Sequence, residues 1–187
     1  MTIVPYQVEI AGQRYKENED IKADEALKII SRQSVPPKII PPSMDDYIDI
    51  YTRLAHTHDA IISIHSSREM FTSWQHARDA AEQLAGHCKI AVIDSRTIGP
   101  AQALLVRAAI RAIDDLSDFD AIVRHVRGAV DRLFSTYFVE TVDYLQNQKV
   151  MSPSHTILGA LLGIKPLLAV EEGELVAIEK VKTRTQA

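Results

Sequence analysis

The sequence predicts an α/β fold: a parallel sheet with helices on both faces, followed by part of a second α+β domain that ends in an antiparallel hairpin. Two short apolar runs, residues 60–64 and 89–93, lie between amphipathic helices. Strands without polar alternation are typical of parallel sheets that are buried on both faces. After residue 134 the order changes to strand, helix, helix and hairpin. We therefore expect one domain over residues 1–135 and the beginning of another over residues 136–187.

The first element is predicted to be a small antiparallel hairpin over residues 3–16. Apolar residues alternate from Val4 to Ile10, and Gly12 stands at the turn. This period of two around a glycine is typical of a hairpin. Residues 23–33 follow as a short helix, with acidic residues in the first turn, where the helix dipole favours them.

A proline-rich stretch separates this part from the parallel sheet. Residues 34–43 contain four prolines, which fix φ and disfavour helix, so the stretch is expected to be extended. Ser43 closes it and is a good N-cap for a helix over residues 44–57. Further helices are predicted over residues 71–85, 101–114 and 118–133.

The second unit begins with a strand at residues 138–140. Helices are then predicted at 142–146 and about 154–163. Strands at 167–170 and 175–181 follow, with a tight turn at 171–173 between them.

Composition excludes several classes of protein. The chain has 187 residues, 46% of them hydrophobic, and a net charge of −4 with mixed signs, so no basic stripe points to a nucleic-acid partner. No apolar run is long enough to span a membrane, and the N-terminus lacks the pattern of a signal peptide. The single cysteine, Cys88, fits a reducing compartment. We expect a cytoplasmic protein.

Several phrases of the sequence together resemble the bacterial DegV family. The most informative of them is the helix-to-hairpin phrase of residues 158–180. Over residues 161–180 it reads Leu-Leu-Gly-Ile-Lys-Pro-Leu-Leu-Ala-Val-Glu-Glu-Gly-Glu-Leu-Val-Ala-Ile-Glu-Lys. Residues 137–145, Tyr-Phe-Val-Glu-Thr-Val-Asp-Tyr-Leu, resemble the family's Val-Asp-Thr-Leu-Glu-Tyr-Leu phrase. The other matching segments are residues 3–8, 12–15, 20–21, 41–43, 63–67 with 74–78, and 92–95.

The resemblance implies a function. DegV proteins hold one long-chain fatty acid between two domains and present its carboxylate to the catalytic subunit of a fatty acid kinase. We therefore expect a non-catalytic fatty acid carrier, with the lipid as its ligand and no other cofactor. Family members also carry a strand with an Asp-Ser-Thr motif before the matched region, and further strands and helices after it. The chain is thus expected to be a fragment, a partial reading frame or a naturally shortened member.

The residues expected to bind the lipid carboxylate are Ser67, Ser66, Arg68 and His65. They follow a predicted strand and precede a helix, where backbone N–H groups and hydroxyls suit an anion. Ordinary helix capping is the alternative interpretation of the serines. Arg68 would add a charge-assisted contact.

The ligand site departs from the family pattern at several positions. The family's carboxylate-binding threonine aligns with Ile39, which has no hydroxyl. Ser67 aligns with the first serine of a Ser-Ser pair and Arg68 with the second. Phe71-Thr72-Ser73 stands where the family has Ser-Gly-Thr.

The acyl chain needs apolar walls, which the resemblance assigns to the second domain. Burying each methylene is worth about 0.8 kcal/mol, so such walls would supply most of the affinity. The expected wall residues are Phe138, Leu161, Leu162, Ile164 and Leu168. An ordinary core role for these side chains is the alternative.

Two other functions compete with lipid binding. One is a small hydrolase or transferase that uses Ser67 or Asp94 with His65, and the other is a truncated remnant that binds nothing. A metal site is not expected, because the spacing of His56, His58 and His65 matches no known zinc arrangement.

Overall fold

The computed structural model describes residues 1–139 and 165–181, with the backbone alone for Lys165, Pro166, Lys180 and Val181. The predicted α/β fold is confirmed. In chain order the elements are β1 (Gln7–Ile10), β2 (Gln13–Lys16), α1 (Ala23–Ile30), β3 (Lys38–Ile40), α2 (Met44–Ala55), β4 (Ala60–His65), α3 (Ser73–Gln83), β5 (Lys89–Asp94), α4 (Gly99–Asp115), α5 (Phe119–Val130), β6 (Thr136–Phe138), β7 (Lys165–Glu171) and β8 (Glu174–Val181).

The N-terminal hairpin is part of a larger sheet than the sequence indicated. β1 pairs antiparallel with β2 and, on its other side, with β3, so that Val8 lies opposite Ile39. β3 comes from the proline-rich stretch, whose extended backbone was expected but whose pairing was not. Val8, Ile10 and Ile21 form the small core between this sheet and α1.

The predicted start of α2 is confirmed. The Ser43 hydroxyl accepts a hydrogen bond from the Asp46 N–H at 3.2 Å, and the Asp46 carboxylate accepts from the Ser43 N–H at 2.8 Å. This reciprocal capping box satisfies donors that the first helical turn leaves free. Hydrogen bonds from Ser43 also hold the pKa of Asp46 below its usual value.

β4 and β5 form the predicted parallel pair, in register from Ala60 opposite Lys89 to His65 opposite Asp94. Alternate residues of the strands point to opposite faces. On one face Ile61 packs with side chains of α2 and α3, and on the other Ile93 packs with α4 and α5. The helices therefore cover both faces, which explains why both strands read as apolar runs.

The second sheet is antiparallel, in the order β6-β7-β8, and confirms the predicted C-terminal hairpin. Its turn contains Glu172 at φ 49° and Gly173 at φ 89°. The helices predicted at 142–146 and 154–163 lie outside the described residues. The division of the chain near residues 134–137 stays a prediction. Within the described ranges, no helix has the length and apolar character needed to cross a membrane.

Neighbouring leucines of α4 test the packing of the main core. Leu105 is fully buried, whereas Leu104 is 53% exposed. Leu105→Ala leaves a cavity and is expected to lower the free energy of unfolding by roughly 3 kcal/mol. Leu104→Ala, the matched control, should change it by less than about 0.5 kcal/mol. Urea denaturation measures both, and equal losses would contradict the assignment of faces.

Candidate functional site

The loop between β4 and α3, residues 66–72, is here called the serine loop. It leaves the carboxyl end of β4, beside the segment that follows β5. The Ser67 N–H donates to the Thr97 carbonyl at 2.9 Å, and the Ser95 N–H donates to the His65 carbonyl at 3.0 Å. These backbone bonds hold the two strand ends side by side, at the edge of a parallel sheet where ligands commonly bind.

Ser67 lies between the serine loop and the turn of the β7–β8 hairpin. Its side chain is fully buried, and its hydroxyl donates a hydrogen bond of 2.6 Å to the Gly173 carbonyl. The same oxygen lies 3.3 Å from the donating N–H nitrogen of Glu69. The predicted ligand residue is thus engaged in a buried contact between two distant parts of the chain.

The hairpin turn approaches the serine loop so closely that only glycine fits. A Cβ atom on Gly173 would lie 2.6 Å from the Ser67 hydroxyl and 3.2 Å from Cγ of Glu69. The φ of 89° at Gly173 also favours glycine over any residue with a side chain. The close approach to the serine loop and the positive φ therefore both require glycine at position 173.

An apolar cluster, here called the loop–hairpin cluster, joins the same two segments of the chain. Its buried members are Met70 of the serine loop, Leu168 of β7 and Leu175 of β8. The partly buried side chains packed against them are Phe71, Ile98, Tyr137, Val139, Val170 and Ala177. The Tyr137 hydroxyl donates a hydrogen bond of 2.9 Å to the Ile98 carbonyl, which joins two further residues of the cluster.

The two described residues of the expected acyl wall lie on opposite faces of the second sheet. Leu168 is fully buried in the loop–hairpin cluster, together with its cross-strand partner Tyr137. Phe138, the next residue of β6, is half-buried and points to the other face, because successive strand residues alternate. Leu161, Leu162 and Ile164 lie outside the described residues.

Neighbouring polar side chains lie in a row between the interior and the serine loop, and we call this row the hydroxyl chain. In spatial order its members are Tyr51, Ser63, His65, Tyr47, Ser73, Tyr6 and Ser66. The Tyr51 hydroxyl donates to Ser63 at 2.7 Å, and the Ser63 hydroxyl lies 2.7 Å from Nε2 of His65.

The second half of the hydroxyl chain reaches the mouth of the site. The Tyr47 hydroxyl lies 3.4 Å from Nδ1 of His65 and has Ser73 as a polar neighbour. The Tyr6 hydroxyl donates to Ser73 at 2.7 Å and has Ser66 as a second polar neighbour. Beyond it, the half-buried Ser66 donates to Oε1 of Gln102 at 2.9 Å. The hydrogen bond between Tyr6 and Ser73 joins residues 67 positions apart in sequence.

Burial keeps this hydroxyl chain uncharged near neutral pH. His65 is only 5% exposed, and desolvation lowers its pKa to about 4. Desolvation also raises the pKa of Tyr51 to about 12 and raises that of Tyr47 further. His65 therefore takes part as a neutral hydrogen-bonding ring behind the serine loop, and it supplies no positive charge there at pH 7.

Arg68 supplies the positive charge at the mouth, but acidic neighbours balance it. Its Nε atom lies 3.0 Å from Oε1 of Glu69 and 3.6 Å from Oδ2 of Asp94, and its side chain is 52% exposed. The guanidinium also stacks over the Trp74 ring, 5.5 Å from the ring centroid. Exposed ion pairs are weak, so a carboxylate ligand has little to displace at Arg68.

The hydrolase alternative requires a hydrogen bond between nucleophile and base. In the part of the chain that the structure covers, the nitrogens of His65 face Ser63 and Tyr47, and Ser67 donates to Gly173 instead. Among the residues of that same part of the chain, no group of three or more His, Cys, Asp or Glu side chains could hold a metal ion. The arrangement suits hydrogen bonding to a ligand better than nucleophilic attack.

Sequence reasoning missed Tyr6, Tyr47 and Gln102 as members of the site. Tyr6 and Tyr47 had the spacing of apolar residues in a hairpin and a helix, and nothing local marks their hydroxyls as partners of the serine loop. Ile39, at the position of the family's threonine, packs half-buried against the core between the first sheet and α1.

Comparison with known proteins relates the whole chain to one family. A family model described as "uncharacterised protein, DegV family" matches residues 1–187. A DegV domain-containing protein of Caldanaerobacter subterraneus is 29% identical over 185 residues, which cover 99% of this chain and 65% of the relative. The chain therefore spans about two thirds of that relative's length.

Solved structures share the fold. A fatty acid binding DegV family protein from Streptococcus agalactiae is 24% identical, with a TM-score of 0.90 over 99% of this chain and 66% of its own. The fatty acid kinase B3 protein of Streptococcus pneumoniae, solved loaded with linoleic acid, is 23% identical. Its TM-score is 0.84 over 98% of this chain and 65% of its own. At these identities the likeness concerns the fold alone.

The fit of the hairpin turn to Ser67 can be tested with two glycines. Gly173→Ala should lower the free energy of unfolding by roughly 3 kcal/mol, because a positive φ and a clash with Ser67 add together. Gly86 has a similar φ of 91° with no atom within 4 Å of a built Cβ, so Gly86→Ala should cost only about 1 kcal/mol. In a Ser67→Ala background the cost of Gly173→Ala should approach that of Gly86→Ala. Urea unfolding of the wild type, the three single variants and the Ser67→Ala/Gly173→Ala double variant measures this, and additive costs would contradict a direct clash.

The buried His65 should make stability depend on pH. Its folded pKa of about 4 lies below the unfolded value near 6.5, so the unfolded state binds more protons between these values. The contribution of neutral His65 is therefore fully present above pH 6.5 and is lost as pH falls towards 4. Relative to His65→Gln, the wild type should lose about 3 kcal/mol of unfolding free energy over this window. Substitution of the exposed His87 by Gln should keep the wild-type dependence, and a wild-type curve parallel to that of His65→Gln would contradict the burial of a neutral ring.

Proposed function

The chain belongs to the DegV family, and from that premise we propose that it binds a long-chain fatty acid in a cleft between its two domains. Its relatives of known structure include a protein described as fatty acid binding and one solved loaded with linoleic acid. Because the chain spans about two thirds of such proteins, this function is proposed for the region that it shares with them.

One observation of the molecule itself carries the proposal: hydroxyls border an apolar cluster to which both halves of the chain contribute. The Tyr6 ring meets Phe71, which packs against Met70 and Leu168 of the loop–hairpin cluster, and the Tyr6 hydroxyl donates to Ser73 at the start of α3. A fatty acid has the matching chemistry, a hydrogen-bonding head on a hydrocarbon chain. Each buried methylene contributes about 0.8 kcal/mol, so the apolar side supplies affinity and the hydroxyls supply orientation.

Three residues of the serine loop would receive the carboxylate. Ser66 is half-buried and is the more accessible of the two serines. Arg68 would exchange Glu69 for the ligand in a charge-assisted contact. Ser67 would reach a ligand only if its hydroxyl left the Gly173 carbonyl, which links its role to movement of the hairpin turn. His65 would act from behind the loop as a neutral ring.

The acyl chain would lie against the apolar side of the cleft. Leu168 is the described residue best suited to this, because it faces the serine loop. Leu161, Leu162 and Ile164 remain predictions for the same wall, and so does Phe138.

We further propose that the protein acts as a non-catalytic carrier that presents the carboxylate to a fatty acid kinase. The likeness in fold to the fatty acid kinase B3 protein supports this partner. The absence of a hydrogen bond between Ser67 and His65 among the described residues supports a carrier over the competing hydrolase.

The experiment is to denature the purified chain and identify released lipid by mass spectrometry. We expect a long-chain fatty acid in near-stoichiometric amount from the wild type, and severalfold less from Ser66→Ala, since a hydrogen bond to a charged group is worth about 1.5–3 kcal/mol. Ser31→Ala, at an exposed serine after α1, is the matched control and should retain the wild-type amount.

The proposed function would be contradicted if protein from several expression hosts contained no lipid and also failed to bind added fatty acid. Equal retention by Ser66→Ala and Ser31→Ala would remove Ser66 from the site without affecting the proposed ligand.

A further inference from the structure

We propose that Tyr6 is a ligand-contacting residue of this site and that its hydroxyl donates a hydrogen bond to the carboxylate of the bound fatty acid. The inference rests on the proposed function and extends it to a residue that lies outside the serine loop, just before β1.

Geometry brings the Tyr6 hydroxyl to the serine loop. It lies 2.7 Å from the Ser73 hydroxyl, at the start of α3, and has Ser66, at the end of β4, as a second polar neighbour. The phenol ring meets Phe71 edge to face, with the ring centroids 5.6 Å apart and an interplanar angle of 86°. Packing against Phe71 fixes the ring, so the hydroxyl is held in position before any ligand arrives.

The nearby serine hydroxyls donate to carbonyl or amide oxygens, which a ligand has to displace before it can bind them. Ser67 is fully buried and donates to the Gly173 carbonyl, and Ser66 donates to the Gln102 side chain. Tyr6 is half-buried and donates only to Ser73, a neutral hydroxyl oxygen. A carboxylate is a stronger acceptor than a hydroxyl, so transfer of the Tyr6 hydrogen bond to the ligand is favourable.

Ser73 also has Tyr47 as a polar neighbour, so a second hydroxyl lies beside it when Tyr6 turns to the ligand. Burial raises the pKa of Tyr6, so its hydroxyl remains protonated and able to donate at neutral pH. A neutral donor also adds no charge to a mouth where Arg68 already pairs with Glu69 and Asp94.

The test compares two ligands on delipidated protein. Palmitate carries the carboxylate, and methyl palmitate carries the same chain with an uncharged, weaker acceptor. Tyr6→Phe keeps the ring and its contact with Phe71, so we expect roughly tenfold weaker binding of palmitate by titration calorimetry and little change for methyl palmitate. Tyr15→Phe, at a half-buried tyrosine of β2 remote from the serine loop, is the matched control and should bind both ligands like the wild type.

The outcomes separate this inference from the proposed function. A wild-type chain that binds neither ligand overturns both. Palmitate binding that is equal in wild type and Tyr6→Phe overturns the role of Tyr6 alone, as does an equal loss for both ligands, which would indicate a packing role for the ring.

A measurement on the unsubstituted protein makes the test independent of folding of the variant. The ¹³Cζ resonance of Tyr6 reports on the hydrogen bond of its hydroxyl. We expect palmitate to shift this resonance and methyl palmitate to shift it much less. A resonance that palmitate leaves unmoved overturns the proposal.

Discussion

The buried hydrogen bond from Ser67 to the Gly173 carbonyl is the contact on which the arrangement of the site depends. It joins residues 106 positions apart, is buried, and links the two segments that also form the loop–hairpin cluster. A hydrogen bond of this kind contributes only about 1 kcal/mol, but leaving either partner unsatisfied in a buried place costs more. The contact therefore specifies one position of the hairpin on the loop, while Met70, Leu168 and Leu175 supply most of the attraction.

The polar part of the site depends on neutral groups. The hydroxyl chain has no charged member, because desolvation disfavours the charged forms of His65 and the tyrosines. Neutral donors and acceptors can be buried at small cost when each has a partner. Arg68, at the mouth, remains half-exposed, where water screens its interactions. The structure thus combines buried neutral groups with a charge kept at the surface.

Most of the fold could be read from local patterns. The apolar runs of β4 and β5, the Ser43 cap and the hairpin turn at Gly173 each follow from chemistry within a few residues. β3 was missed because only three residues of the proline-rich stretch pair, and their partner β1 lies some thirty residues earlier. The position of the serine loop between a strand and a helix was predicted, but the hydrogen-bond partners of Ser67 and His65 were not.

What the sequence by itself determined was the order and type of most of the described elements, the position of the serine loop and the family to which the chain belongs. Periodicity, proline and glycine act over a few residues, so they can be read without knowing the fold. Only the tertiary structure decided that Ser67 is buried against Gly173, that Tyr6 donates to Ser73, and that Leu168 and Phe138 lie on opposite faces of one sheet. These are contacts between distant segments, and a hydroxyl acquires its partner only when packing brings the second segment to it.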